Sequence, residues 1–254
     1  MATRRHSGPL RVQKALYPEG TACCHAIVLH PPGGIAGGDQ LAIDIAVGSG
    51  ASALITTPGA GKWYRSGGAE ASQQVRVSLA DGAALEWLPQ ENIVFNGANA
   101  RIAAQVDLAD GARFLGLDVL CLGRRASGET FASGTLRLAA DIHSGGRLLW
   151  RERGHLDGGS ALLHSPAGLA GHSVCATWQA AGLDADAQLL SACRAATPAE
   201  AAAQWGITAM PGLMVGRYLG HSAEAARQWF VEVWHVLRPA LLGRAAVVPR
   251  IWNT

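Results

Sequence analysis

The chain has 254 residues, 49% of them apolar and only 16% charged, with a net charge of +2. That is enough apolar material for one large β or mixed domain, and too little charge to point to nucleic acid or an anionic membrane as partner. No stretch approaches about 18 consecutive apolar residues, so no bilayer-spanning segment is expected.

The first residues, MATRRHSGPLRVQ, are charged but lack the apolar run of a signal peptide. HPPGGIAGGDQL, residues 30–41, then sets two prolines, four glycines and an acid between apolar runs. Pro31 and Pro32 fix φ and remove two donors, while Gly33, Gly34, Gly37 and Gly38 allow tight turns and close backbone approach. Asp39 either caps its own turn or offers a hard oxygen ligand. Period-two alternation follows. Leu41, Ile43, Ile45 and Val47 share a face, as do Val75, Val77 and Leu79, and again Ile102, Ala104, Val106 and Leu108. These segments are predicted as half-buried strands.

A repeat runs through them. VGSGA (47–51), LADGA (79–83), LADGA (108–112) and IHSGG (142–146) each follow an alternating run and precede another apolar one. Their glycines, Gly50, Gly82, Gly111 and Gly145, recur roughly every 30 residues, the period of stacked β units. Asp-Gly and Ser-Gly supply the positive φ of a tight reversal. The prediction is strand, turn, strand, repeated four times. The last third is different. LDADAQLLSACRAATPAEAAAQWG (183–206) reads as helical, with Thr197, Pro198 and Glu200 as N-cap, first-turn proline and capping-box acid. ITAMPGLMVGRYLG (207–220) reads as strand. HSAEAARQWFVEVWHVLRP (221–239) reads as the strongest helix, capped by Ser222 and kinked or ended at Pro239. The expected architecture is mainly β, stacked antiparallel or β-helix-like sheets with two helices in the C-terminal half, in a single domain over 1–254.

Familiar chemical motifs fail on inspection. PGAGK (58–62) has Thr56 and Trp63 where a phosphate loop needs glycine and a hydroxyl. GSGASA (48–53) leads into β-branched LITTP rather than into the helix a dinucleotide fingerprint requires. The five cysteines, Cys23, Cys24, Cys121, Cys175 and Cys193, form neither a disulfide framework nor a C-x-x-C pair, and read as reduced thiols of a cytoplasmic chain. Cys23 and His25 would share a strand face, a weak site for a soft metal, with core packing as the simpler reading. Glu86, Glu91, Asp118 and Glu129 lie in apolar or specific-looking segments and suit ion pairing, acid–base work or the lining of a passage.

HPPGGIAGGDQL, LITTPGAGKWYRS, LEWLPQENIVFNGA, FLGLDVLCLGRRASGETF, GRYLG and the terminal PRIW, in this order, resemble the urease accessory protein family called D, or H in some organisms. Asp118 stands where that family more often carries glutamate. The resemblance implies a non-enzymatic scaffold with no tightly bound cofactor. It implies binding to the urease apoprotein and recruitment of accessory proteins F and G, the latter a GTPase. It also implies transient passage of Ni²⁺ to the urease active site, for which Asp39, Glu86, Glu91, Asp118 and Glu129 are the candidate handholds. Pro31, Pro32, Gly33 and Gly34, with Trp229, Phe230 and Trp234 of the late helix, are the candidate partner surfaces. The alternative is a β-solenoid carbohydrate-active hydrolase or lyase, with paired carboxylates in an aromatic groove.

Overall fold

The computed structural model describes residues 2–253, so Met1 and Thr254, the ends of the expected domain, lie outside the described residues. The chain begins with β1 (Arg11–Val12) and β2 (Cys24–Leu29) and then winds into coils. β3 (Gln40–Val47) crosses to β4 (Ser52–Thr56), followed by the short β5 (Gly61–Trp63). β6 (Ala71–Leu79) crosses to β7 (Ala84–Leu88), followed by β8 (Asn92–Val94), and β9 (Asn99–Leu108) crosses to β10 (Arg113–Leu122). In each crossing the strands belong to opposite sheets. The glycines of the three turns, Gly50, Gly82 and Gly111, all have φ of +65°. A Cβ on Gly82 would make only ordinary contact with Gly50, so positive φ, not lack of space, selects glycine here. Gly50 N–H donates to the Asp81 carbonyl at 3.0 Å and Gly82 N–H to the Asp110 carbonyl at 2.8 Å, which stacks the turns in register.

The fourth predicted unit departs from this pattern. β11 (Thr135–Ser144) and β12 (Arg147–Asp157) form an antiparallel hairpin within one sheet. Both Gly145 and Gly146 have positive φ, at +55° and +76°, as a two-residue hairpin loop that follows the strand twist requires. The stack therefore ends by folding back on itself. Pairing is parallel along β2–β4–β7–β10 and along β3–β6–β9–β11, the β-helix-like part of the fold. Antiparallel strands complete the first sheet: β10 pairs β13 (Val174–Ala181), then β15 (Leu213–Gly220), then β14 (Gln204–Met210).

The helices cover the outer face of the larger sheet. α1 (Ala187–Ala195) is capped by Asp186, whose carboxylate accepts from Leu189 N–H at 2.7 Å. It is shorter than predicted, and Thr197, Pro198 and Glu200 start no second helix. The Glu200 carboxylate instead accepts from the Tyr218 hydroxyl and from the backbone N–H groups of His221 and Ser222, at the entrance to α2 (Ala223–Leu242). Ser222 caps α2 as predicted. Pro239 does not end it. The helix continues to Leu242, and Gly243, at φ +67°, closes it by donating to the Pro239 carbonyl. Leu237, Leu241 and Leu242 hold this last turn against the sheet. Trp229, Phe230 and Trp234 are 1%, 1% and 0% exposed and pack with Trp178, Tyr218 and Val119. They form core, not a partner surface: the apolar stripe of α2 faces the sheet, as amphipathic helices of globular domains do.

One buried charge cluster joins the layers. Arg238 of α2 is fully buried, and its guanidinium meets Glu86 of β7 at 2.8–3.0 Å and Glu19 at 2.6 and 2.8 Å. It also donates to the Ala245 carbonyl, and Trp234 Nε1–H donates to Glu86 at 2.7 Å. Every guanidinium N–H thus has an acceptor. Burial opposes the charge on Glu19, but the hydrogen bonds from Arg238 and His25 outweigh it and hold that carboxyl below its ordinary range.

Two outcomes follow for stability. Arg238→Met, which strands two buried carboxylates, is expected to lower the unfolding free energy by about 3–5 kcal/mol, and adding Glu86→Leu should recover part of the loss; urea denaturation reads both. A Cβ on Gly216 would lie 2.1 Å from the Trp178 ring, whereas one on Gly206 meets nothing. Gly216→Ala should therefore cost about 1–3 kcal/mol, and Gly206→Ala should leave the urea midpoint nearly unchanged.

Candidate functional site

Between the two sheets the apolar packing is interrupted by a cavity of about 300 Å³. Its cause is visible along β10. Phe114, Leu120 and Leu122 belong to the clusters between the sheets, while Leu115, Leu117 and Val119 pack towards the helices. The between-sheet row should continue apolar through positions 116 and 118. It carries Gly116 and Asp118 instead. A Cβ on Gly116 would meet the Phe114 ring at 2.8 Å, so glycine leaves room for that ring. On the adjacent β13, Thr177 pairs with Asp118, Gln179 with Gly116 and Cys175 with Leu120, and all three line the cavity.

Asp118 is held by a relay. Its Oδ1 accepts from Asn92 Nδ2 at 3.2 Å, and Asn92 Oδ1 accepts from the buried Trp63 Nε1 at 3.0 Å. Gly61 makes space for this arrangement, since a Cβ there would sit 2.9 Å from Asn92 Oδ1. Burial pushes the Asp118 carboxyl above its ordinary range, Asn92 partly offsets this, and the charge of Glu152 adds to it. Burial and the nearby Asp118 push the Cys175 thiol up to about 12, so it is protonated at neutral pH. His30 Nε2 and Gln90 Nε2 are buried without a hydrogen-bond partner among the described residues, and both residues line the same cavity. Buried polar atoms need partners, so these walls suit a hydrated interior on the order of ten waters in size.

The predicted acids do not converge. Of the five, Asp118 alone lines the cavity. Glu86 faces the helices, bound to Arg238. Glu91 lies 3.8 Å from Arg227, whose guanidinium stacks on Trp252. Glu129 takes two hydrogen bonds from the Arg124 side chain and one from Asn96 N–H. Asp39 accepts from Ala36 N–H at 2.9 Å and so caps its own turn. Two further carboxylates, Asp141 of β11 and Glu152 of β12, line the cavity from the second sheet. Hydrogen bonds from Arg153 and Arg151 hold Asp141 at about 2, and Glu152 pairs with Arg217 of β15 at 2.7 Å. For Glu152 the only sequence signal is the alternation of arginine and acid in RERGHLD, which reads as a solvated strand face, and Asp141 stands in LAADIH with no signal at all.

The proline–glycine loop is shaped by its neighbours. Gly34 lies under the Tyr64 ring, 2.2 Å from where a Cβ would be, and Gly37 lies against Ser66. Pro31 and Pro32 are exposed, while Gly33 and Gly34 reach the cavity wall. Cys23, His25 and Glu19 meet on the other side of the sheet, with donor atoms within 4.8 Å of one another. No helix among the described residues is long and apolar enough to cross a membrane.

The acids lining the cavity are paired with arginine, as Asp141 and Glu152 are, or stand alone, as Asp118 does, so no pair of free carboxylates faces a shared groove. The hydrolase alternative loses its structural basis. A family model for the UreD urease accessory protein matches residues 1–253. A urease accessory protein UreD of Dechloromonas aromatica (strain RCB) is 59% identical over 98% of this chain and 88% of its own length. Namesakes from Azoarcus sp. (strain BH72) and Pseudomonas aeruginosa (strain PAO1) are 54% and 53% identical, over 100% and 99% of this chain and 88% and 89% of their own. The chain belongs to the UreD family of urease accessory proteins, which are chaperones of urease maturation rather than enzymes.

Proposed function

We propose that the protein acts as a scaffold for nickel insertion into urease, holding the apoprotein while Ni²⁺ passes through the cavity between its sheets. The observation that carries this reading is the polar interior around Asp118. A conduit must bind an ion well enough to admit it and weakly enough to release it. One carboxylate with raised proton affinity, flanked by Thr177, Gln179, Asn92 and the unpartnered nitrogens of His30 and Gln90, meets that requirement. A closed cage of thiolates and imidazoles would retain the ion instead. Nickel is cargo here, and no cofactor stays bound. The proposed partners are the urease apoprotein and accessory proteins F and G, the latter a GTPase that releases the ion. The exposed Pro31–Pro32 ledge is the proposed contact with one of these proteins, since its fixed φ presents a rigid surface at little entropic cost. The setting is the cytoplasm, where the five free cysteines stay reduced.

Nickel per active site in urease purified from cells co-expressing the variants tests this reading. Asp118→Asn should lower nickel content and activity several-fold, and Asp118→Glu, which keeps the charge, should retain most of both. Nickel-replete urease with Asp118→Asn would remove the cavity from the route, and nickel-replete urease after deletion of the whole chain would end the scaffold reading. Replacing Pro31 and Pro32 together with alanine should weaken co-purification with urease or accessory proteins while leaving the urea midpoint in place. Undiminished co-purification would place the contact elsewhere.

A further inference from the structure

We propose that Glu19, Cys23 and His25 form a second, separate metal site, which takes one divalent cation of borderline softness such as zinc or nickel. The site faces the helix side of the larger sheet, Cys23 being part of the helix-side core, and none of its three residues lines the cavity between the sheets. The inference does not rest on the maturation reading and stands or falls without it.

The local fold builds the donor set. Cys23 immediately precedes β2 and His25 is its second residue; both are buried while Cys24 between them is only partly so, which puts the two on one face. Between Tyr17 and Cys23 the chain turns tightly through Gly20, at φ +81°, where Gly20 N–H donates to the Tyr17 carbonyl. This turn brings Glu19 back over the strand. Glu19 Oε1 lies 2.6 Å from His25 Nε2, and the Cys23 sulfur completes a triangle of ligand atoms all within 4.8 Å of one another. Ligands at about 2.0–2.3 Å on a tetrahedral ion lie roughly 3.4–3.7 Å apart, so small side-chain movements suffice. Cys23 is 0% exposed, and the Glu19 and His25 side chains are 9% and 7% exposed, which screens an ion from bulk water but leaves a way in past Glu19.

Outer contacts favour the same reading. Ser52 Oγ lies 3.9 Å from the Cys23 sulfur and Arg238 orients Glu19, in the manner of groups that fix metal ligands. An ion bound here would displace the Cys23 thiol proton to solvent. Arg238 keeps its hold on Glu19, so the ion shares that carboxylate. This limits affinity and makes the site exchangeable rather than permanent.

Cobalt(II) titration of the reduced, purified full chain tests the site. One equivalent should produce a thiolate-to-cobalt charge-transfer band in the near ultraviolet, displaced by zinc. Cys23→Ser should abolish the band, His25→Gln should raise the apparent Kd by about tenfold or more, and Cys193→Ser should change nothing. Absence of the band in the unaltered protein, its survival in Cys23→Ser, or a His25→Gln titration matching the unaltered protein would each overturn the assignment. Circular dichroism checks folding, and if Cys23→Ser does not fold, the His25→Gln titration decides alone.

Discussion

At Gly50, Gly82 and Gly111 the backbone reverses through the left-handed region, and neighbouring reversals are hydrogen-bonded to one another. That constraint sets the rest of the architecture. Because the turns stack in register, the strands on either side must run parallel within each sheet, and side chains of one parity must point between the sheets at every level. The cavity exists because two positions of that parity, Gly116 and Asp118, decline to fill the space their neighbours fill. A layered fold with fixed register turns a two-residue deviation into an internal chamber.

The molecule has two polar interiors with opposite characters. On the helix side, Arg238 is saturated with acceptors, and such a network favours one arrangement of sheet, helix and N-terminal segment. Between the sheets, His30 and Gln90 present unpartnered nitrogens, Asp118 has one side-chain donor, and Cys175 remains a thiol. The first interior resists change, while the second invites exchangeable occupants. Their separation by the larger sheet lets the protein hold a rigid frame around a wet space.

Much of this was legible in the residues. The alternation at 41–47, 75–79 and 102–108 and the Asp-Gly and Ser-Gly turns predict the coils directly, because period and turn chemistry are local. The hairpin at Gly145 was also written there. IHSGG has a second glycine where the other three units have alanine, and two consecutive positive φ values turn a crossing into a fold-back. Asp118 could have been picked out by parity with Phe114, Leu120 and Leu122. What escaped was non-local. Glu200 sits in a capping-box pattern, but its carboxylate serves the entrance of a different helix, 22 residues on at Ser222. Pro239 falls in a last turn that packing sustains. Glu152 looks solvated because arginines flank it, and nothing in the linear order shows that Asp141 of β11 and Glu152 of β12 close the chamber. Glu19 gives no hint that it meets Cys23, His25 and an arginine 219 positions away.

That last span bears on the order in which the molecule is made. Glu19 and Glu86 leave the ribosome long before the residue that neutralises them, so the nascent coils carry two acids with no counter-charge where the helix will later dock. Closing so long a loop adds little entropy per further residue, but it cannot begin until translation is nearly over. The sheets can assemble early, whereas sealing their outer face must wait for the end of synthesis. Until then the face that will receive Trp229, Phe230 and Trp234 stays open, and the emerging chain spends that interval exposed to misassociation.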